Sequence, residues 1–142
     1  MLTRGELAHQ AGVNPETLRY YERTGLLPLP ERSRANYRLY DVESVERVGF
    51  IKRAQQVGFS LEQIRQLLGI RFHPRATCGD VRAVVDTKIA ELDHQIEQLI
   101  AMRAALVELR ADCPGGERPL DECPVLETFA HAEWVEEKVA HA

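Results

Sequence analysis

The chain has 142 residues, of which 44% are hydrophobic and 28% are charged, which is ordinary for a globular protein. This length is enough for one domain with a real core, or for a small domain with an extension. No stretch approaches the roughly 18 uncharged apolar residues that a membrane span requires. The first residues, Met1 to Glu6, lack the apolar core of a signal peptide. We therefore expect a cytoplasmic protein with no membrane partner.

The charge is distributed unevenly along the chain. Residues 1–75 hold 12 Lys and Arg against 8 Asp and Glu, a net charge of +4, whereas residues 76–142 hold 6 against 14, a net charge of -8. The total of -4 alone would argue against a nucleic-acid partner. The split instead suggests that one half meets a polyanion, although charge alone leaves accidental clustering open.

The first 25 residues predict two short helices. Thr3 is placed to cap a first helix, which Gly12 ends. Asn14 is placed to cap a second helix, Pro15 starts it, and Gly25 ends it. Two short helices joined by a glycine-containing turn are the signature of a helix-turn-helix.

A hairpin and two more helices follow. Pro28 and Pro30 interrupt the helical pattern, and the alternating, aromatic-rich segment 37–40 predicts a short strand that closes a hairpin. Asp41 is placed to cap a third helix, and residues 60–63 form a capping box for a fourth.

Residues 79–111 predict one long helix, because no proline occurs there and no glycine follows Gly79. Such a helix is about 50 Å long. Apolar residues recur in alternating steps of four and three, which is a heptad seam: Val85, Ile89, Leu92, Ile96 and Leu99. A domain of 70 residues cannot bury so long a stripe, so we expect a two-stranded homodimer, parallel or antiparallel. Packing of the helix back onto its own N-terminal domain is the alternative.

The predicted fold class is therefore mainly α. Residues 1–69 form a winged helix-turn-helix domain, residues 70–78 a linker and residues 79–111 a dimerisation helix. Residues 112–142 form a loop and a short helix that has Pro124 in its first turn and runs no further than Val139.

Two segments carry the residues suited to reading DNA. Thr17, Arg19 and Tyr20 share an exposed turn of the second helix, where arginine suits guanine in the major groove and hydroxyls suit phosphates. The loop 32–38 holds three arginines, which fits a wing lying on phosphates, whereas for any single arginine a solvated surface is the alternative. The candidate DNA-binding residues are Thr17, Arg19, Tyr20, Tyr21, Arg34, Asn36, Tyr37 and Arg38.

The chain has three cysteines, Cys78, Cys113 and Cys123, all in its acidic half. A disulfide framework normally uses an even number of cysteines in a secreted chain. Clustered thiols in a cytosolic protein are more often metal ligands or redox groups. Scattered core cysteines are the remaining interpretation.

Four stretches of this sequence resemble the MerR family of transcription regulators: residues 5–8, 12–27, 36–40 and 50–61. The resemblance extends from residue 3 to about residue 129. It implies a dimer held by an antiparallel coiled coil of the long helices. It also implies an operator between widely spaced promoter elements, which metal binding untwists so that RNA polymerase engages both.

An antiparallel pairing places the start of one long helix beside the end of the other. Cys78 of one subunit then meets Cys113 and Cys123 of its partner, which makes two equivalent sites of three thiolates. Soft thiolates select soft ions. The predicted metal ligands are therefore these three cysteines, with Cys78 contributed from the other subunit.

Details of the resemblance favour one ion. Family members that sense monovalent copper, silver or gold carry serine where this chain has Cys78. Zinc sensors tend to have a doubled cysteine at the start of the loop and a loop histidine, and zinc prefers four ligands. Because residues 122–128 are similar to mercury-sensing members, we expect Hg(II) as the effector.

Several alternatives stay open. Pb(II) or Cd(II) would suit the same three thiolates, Zn(II) and Cu(I) suit them less well, and His131 is a candidate fourth ligand. A regulator switched by oxidation of Cys113 and Cys123 is the rival from another class. An enzyme is not expected, because the sequence shows no nucleophile and base pair, phosphate loop or paired catalytic carboxylates at meaningful spacing.

Overall fold

The computed structural model describes residues 1–32, 34–35 and 38–131. The elements of this part of the chain are, in order, α1 Arg4–Ala11, α2 Pro15–Arg23, β1 Glu31–Arg32, β2 Arg38–Leu39, α3 Glu43–Gln56, α4 Leu61–Arg71, α5 Cys78–Asp112 and α6 Pro124–Phe129, with a 3-10 turn at Leu120–Glu122 before α6. The mainly α fold class is confirmed. The chain divides into two compact units, one from Met1 to Lys88 and the other from Ile89 onward.

The predicted caps start the short helices. The Thr3 hydroxyl accepts from the Glu6 amide at 3.2 Å, and the Glu6 carboxylate accepts from the Thr3 amide at 3.2 Å. Asn14 caps α2 through its side-chain oxygen, and Ser60 forms the same reciprocal box with Gln63. Each such cap stabilises its helix by about 1 kcal/mol.

The observed bounds of α3, α4 and α5 differ slightly from the predicted ones. The residue just before α3 is Val42, which makes no side-chain capping bond, so the helix starts later than a cap at Asp41 predicts; Asp41 still accepts from the amide and the hydroxyl of Ser44 in the first turn, at 3.0 and 2.9 Å. The α4 helix continues to Arg71 and α5 already begins at Cys78, which narrows the predicted linker 70–78 to residues 72–77. The first turn of α5 includes Cys78. The backbone amide of Thr77, just before the helix, donates to the carboxylate of Asp80 at 2.9 Å and stabilises this turn.

The core of the first unit lies where α1 packs against α2 and α3, and where α3 packs against α4. Its fully buried side chains come from all four helices and from the chain around the hairpin: Leu7, Leu18, Leu26, Leu27, Tyr40, Val48, Ile51 and Ile64. Burying one such side chain contributes roughly 1.5–3 kcal/mol. This core sets the relative orientation of the two helices of the helix-turn-helix.

The wing is a minimal antiparallel hairpin. Glu31 pairs with Leu39, and Arg32 pairs with Arg38. Tyr40 follows the second strand and forms an isolated bridge with Leu2 through two backbone hydrogen bonds of 2.7 Å. The predicted strand at 37–40 is thus confirmed for Arg38 and Leu39, whereas Asn36 and Tyr37 lie outside the described residues.

The long helix α5 has 35 residues. Its predicted seam is uncovered in the single chain, with side chains between 36% and 59% exposed from Val85 to Leu99. Leu109, near the end of the helix, is buried. Among the described residues, no helix is both long and apolar enough to cross a membrane.

We expect Leu18→Ala to lower the free energy of unfolding by about 2–5 kcal/mol, because it leaves a cavity in the core between the first helices. Leu18 is fully buried. Urea denaturation at one fixed protein concentration measures the change. Leu29→Ala is the matched control, since Leu29 is 69% exposed, and it should change the unfolding free energy by less than about 0.5 kcal/mol. Equal effects of the two substitutions would contradict the described core.

Candidate nucleic-acid interface and metal centre

The exposed face of α2 carries cationic and aromatic side chains. Arg19 and Tyr20 are both exposed, and the Arg19 guanidinium pairs with Glu16 on the same face. The Arg23 guanidinium lies 5.9 Å from the centre of the Tyr20 ring, within the range of a cation–π contact. Arg23 is not among the predicted DNA contacts, although its spacing of four from Arg19 places it one turn along the same helical face.

Tyr21 does not belong to this face. Its side chain is 2% exposed, and its hydroxyl donates to the side-chain oxygen of Gln55 at 2.7 Å. Burial raises the pKa of Tyr21. The prediction that Tyr21 contacts DNA is therefore wrong, because its spacing of three from Leu18 places both side chains on the core side of α2.

The wing supplies a second cationic segment. Arg34 is exposed in the turn between the two strands. Arg38 instead donates to the Glu22 carboxylate at 2.5 Å, so this predicted DNA contact already has a partner within the protein. The predicted contacts Asn36 and Tyr37 lie outside the described residues.

Two further cations fix the ends of the helix-turn-helix. The Lys52 ammonium, on α3, donates at 2.8 Å to the carbonyl of Gly12, the residue that caps α1. The Arg65 guanidinium, on α4, donates to the carbonyl of Thr24, the residue that caps α2. Cations are favoured at helix C-termini because unpaired carbonyls and the helix dipole meet there. These contacts hold α1 and α2 against the two helices that follow.

The second unit brings two thiols together. Cys113 directly follows α5, and Cys123 directly precedes α6. Between them, Gly115 and Gly116 have φ angles of 67° and 68°, left-handed values that let the loop turn sharply. The Cys113 thiol lies within hydrogen-bond reach of the Cys123 thiol.

The environment of Cys123 favours its thiolate. Backbone amides of Leu126 and Val125 and the thiol of Cys113 donate to the Cys123 sulfur and lower its pKa, against a smaller opposing effect of burial. The thiolate is the form that binds metal ions. The pair therefore fits a soft cation better than isolated surface thiols would.

Cys78 lies in the first unit, exposed, as the first residue of α5. Within the described part of a single chain, no three side chains of Cys, His, Asp or Glu come together around a possible metal position. The structure thus brings together two of the three predicted ligands, and the role of Cys78 stays a prediction. His131 is exposed beside Glu127, with 3.3 Å between its ring nitrogen and the carboxylate oxygen.

A winged helix-turn-helix followed by a long helix with an uncovered apolar seam is the architecture of a helix-turn-helix regulator of transcription. The chain belongs to the MerR family. The family model described as MerR HTH family regulatory protein matches residues 2–69, and the one described as MerR, DNA binding matches residues 45–109.

Three relatives illustrate the relationship. The mercuric resistance operon regulatory protein of Bacillus cereus is 44% identical, over 88% of this chain and 94% of its own. The lead(II) complex of the transcription regulator PbrR691 from Ralstonia metallidurans has a TM-score of 0.82 at 40% identity, covering 91% of this chain and 99% of that one. The mercury(II) complex of MerR from Bacillus megaterium has a TM-score of 0.69 at 40% identity, covering 89% and 97%.

These findings establish the general function. The chain is a metal-responsive DNA-binding transcription regulator of the MerR family. The family model that matches residues 45–109 is itself described as DNA binding. The related proteins are regulators of transcription rather than enzymes.

We expect Arg19→Ala to weaken binding to a preferred duplex by roughly 5- to 150-fold, the range for loss of a bidentate base contact of about 1–3 kcal/mol. The probe is a duplex selected by the wild-type protein from a random-sequence pool, with affinity measured by fluorescence anisotropy. Arg82→Ala, on the exposed surface of α5, removes the same charge and should leave the affinity nearly unchanged. A loss of the same size in both variants would contradict a specific role for Arg19.

We expect Cys123 to be alkylated by iodoacetamide with a pH midpoint below that of the same cysteine in the urea-unfolded chain. The folded environment lowers its pKa, so the reactive thiolate persists to lower pH. Mass spectrometry of peptides from reactions at pH 6–10 resolves this cysteine from the other two. Cys113→Ala should move the midpoint upward, because it removes one donor to the sulfur. A folded midpoint at or above the unfolded one would contradict the described loop.

Proposed function

We propose that this chain forms a homodimer on a promoter operator and activates transcription by RNA polymerase when Hg(II) binds to three thiolates. Cys113 and Cys123 of one subunit and Cys78 of the partner subunit are the proposed ligands. The observation that carries this proposal is the tight loop after α5, in which Gly115 and Gly116 adopt left-handed φ angles and Cys113 and Cys123 stand at its two ends, before α6.

The chemistry of the ligands supports a soft ion. Thiolates bind soft cations in preference to magnesium or calcium. A set of three thiolates suits trigonal Hg(II), whereas zinc favours four ligands and a closed tetrahedron. Cys78 is exposed, so its thiol is accessible as the third ligand.

The length of α5 supports a site shared between subunits. A helix of 35 residues is about 52 Å long, so a residue at its start and a residue just past its end cannot bind the same ion. An antiparallel second helix would bring the start of one chain to the end of the other. It would also cover the seam from Val85 to Leu99, which the single chain leaves exposed.

The first unit supports binding of the duplex. Arg19, Tyr20 and Arg23 form a contiguous exposed face on α2, and Arg34 occupies the tip of the wing. This is the side-chain chemistry that reads base edges and phosphates. We propose Thr17, half-buried at the start of α2, as a further contact.

Lead(II) is the second candidate effector. The lead(II) complex of PbrR691 and the mercury(II) complex of the Bacillus megaterium protein are equally related to this chain, at 40% identity each. The lead complex superposes with the higher TM-score, 0.82 against 0.69. Cadmium(II) would suit the same three thiolates.

A metal competition separates these candidates. Reduced dimer is titrated with Hg(II), Pb(II), Cd(II) or Zn(II), the ultraviolet thiolate-to-metal band is recorded, and transcription from the bound promoter is assayed in parallel. We expect Hg(II) to displace the other ions and to activate at the lowest free concentration. Activation by Pb(II) at lower concentration would overturn the assignment of mercury. Activation by mild peroxide without metal, with a disulfide between Cys113 and Cys123, would favour the redox regulator.

We expect Cys78→Ser to abolish Hg(II)-dependent activation while leaving affinity for the selected duplex unchanged, because serine keeps the size of the side chain but removes the soft ligand. Ala90→Ser, on the same helix and off the seam, is the matched control and should activate normally. Activation that survives in Cys78→Ser would contradict the proposed site.

Mixed dimers test whether the ligands come from two subunits. Cys78→Ser is combined with the double variant Cys113→Ser and Cys123→Ser, each inactive alone. In a heterodimer, one shared site then has all three thiols, so activation should return partially. A site within one chain would be broken in both subunits, and mixing would restore nothing.

A further inference from the structure

The last turn of α2 carries a buried carboxylate with three donors around it. The Glu22 side chain is 3% exposed. It accepts from the Arg4 guanidinium at 3.3 Å, from the Arg38 guanidinium at 2.5 Å and from the Tyr40 hydroxyl. A carboxylate is stable out of water only with such compensation, and the charge-assisted bonds are stronger than neutral ones.

The donors to Glu22 come from parts of the chain that are distant in sequence. Arg4 is the first residue of α1, Arg38 lies on β2 of the wing, and Tyr40 follows that strand directly. The wing has only two residue pairs of its own, and a hairpin that short is not stable by itself. Its position relative to α2 therefore depends on contacts outside the hairpin, and Glu22 makes a direct ionic one.

We propose that Glu22 is a positioning residue for DNA binding, which fixes the wing against the end of α2. The exposed face of α2 around Arg19 and the wing around Arg34 then approach the duplex in one fixed geometry. Arg38 serves operator binding through Glu22 and not as a phosphate ligand. This inference rests on the DNA-binding function but not on the identity of the metal ion.

If only net charge mattered, replacing Glu22 by glutamine would strengthen DNA binding, whereas loss of a fixed wing would weaken it. Replacing a carboxylate by an amide in a domain that binds DNA makes the domain more positive, which strengthens attraction to phosphates. Loss of a fixed wing weakens binding, because phosphate contacts that position the protein are lost or require extra ordering on association. The direction of the change in affinity therefore separates positioning from net charge.

The central experiment measures the affinity of full-length Glu22→Gln for the duplex selected by the wild-type protein, at several salt concentrations. We expect the dissociation constant to rise about tenfold, the scale of one lost charge-assisted hydrogen bond. The slope of log affinity against log salt should fall by about 0.9 for each phosphate contact that the wing loses. Glu46→Gln is the matched control, since Glu46 is an exposed acid paired with Arg71 in the same unit. It should bind as tightly as the wild type, or slightly more tightly.

Tyr40→Phe is a milder second variant, which keeps the proposal testable if Glu22→Gln fails to fold. It removes only the hydroxyl that donates to Glu22, so it should reduce affinity in the same direction by a smaller factor. Circular dichroism and the urea midpoint of each variant show that binding is measured on folded protein. A loss of stability without a change in affinity or salt slope would overturn the proposal and leave Glu22 a purely structural residue.

A double-mutant cycle tests the role of Arg38. If Arg38 acts through Glu22, the variants Arg38→Ala, Glu22→Gln and their combination should weaken binding by similar factors. Additive losses would mean that Arg38 contacts the duplex independently and would overturn the proposal. If the wild-type protein selects no duplex at all, the DNA-binding function itself fails. If the wild type binds and Glu22→Gln binds equally well, only this inference fails.

Discussion

The proposed function depends on the length and stiffness of α5. A helix of 35 residues keeps a thiol at its start about 50 Å from a thiol just past its end, so one chain cannot close a three-thiolate site around a single ion. The same helix leaves an apolar seam uncovered. A second, antiparallel copy would satisfy both requirements at once, because it covers the seam and supplies the missing thiol. In this proposal, the antiparallel pairing that forms the dimer also brings the three thiols of each metal site together.

The DNA-binding unit is built so that its functional side chains depend on buried or capped neighbours. Lys52 and Arg65 hold the ends of α1 and α2 from the following helices. Tyr21 anchors α2 in the core through Gln55, and Glu22 connects its last turn to the wing. The exposed face of α2 therefore belongs to a helix whose C-terminal end is held by the core, by Arg65 and by the wing.

The sequence predicted the features that depend on local chemistry. The caps at Thr3, Asn14 and Ser60 use side chains that bond to backbone three residues away, so the pattern alone reveals them. Tyr21 was misjudged, because adjacent tyrosines look equivalent until the core face of α2 is known. The partners of Glu22 lie 16 and 18 residues away, and no local rule identifies such pairs. The approach of Cys113 to Cys123 was foreseeable from the two glycines between them. A contact between two subunits, such as that of Cys78 with its proposed partners, is not visible in the structure of one chain.

Basic side chains that bind to groups of the protein itself affect how the regulator would search a genome. Arg4, Lys52 and Arg65 contribute to the positive charge of the first unit, yet each donates to a group of the protein itself. Fewer cations are then left to displace counterions from arbitrary DNA, so weak, sequence-independent adhesion is lower than a count of basic residues suggests. Low adhesion shortens the time spent on irrelevant sites. A small number of molecules per cell would then suffice to keep one promoter occupied.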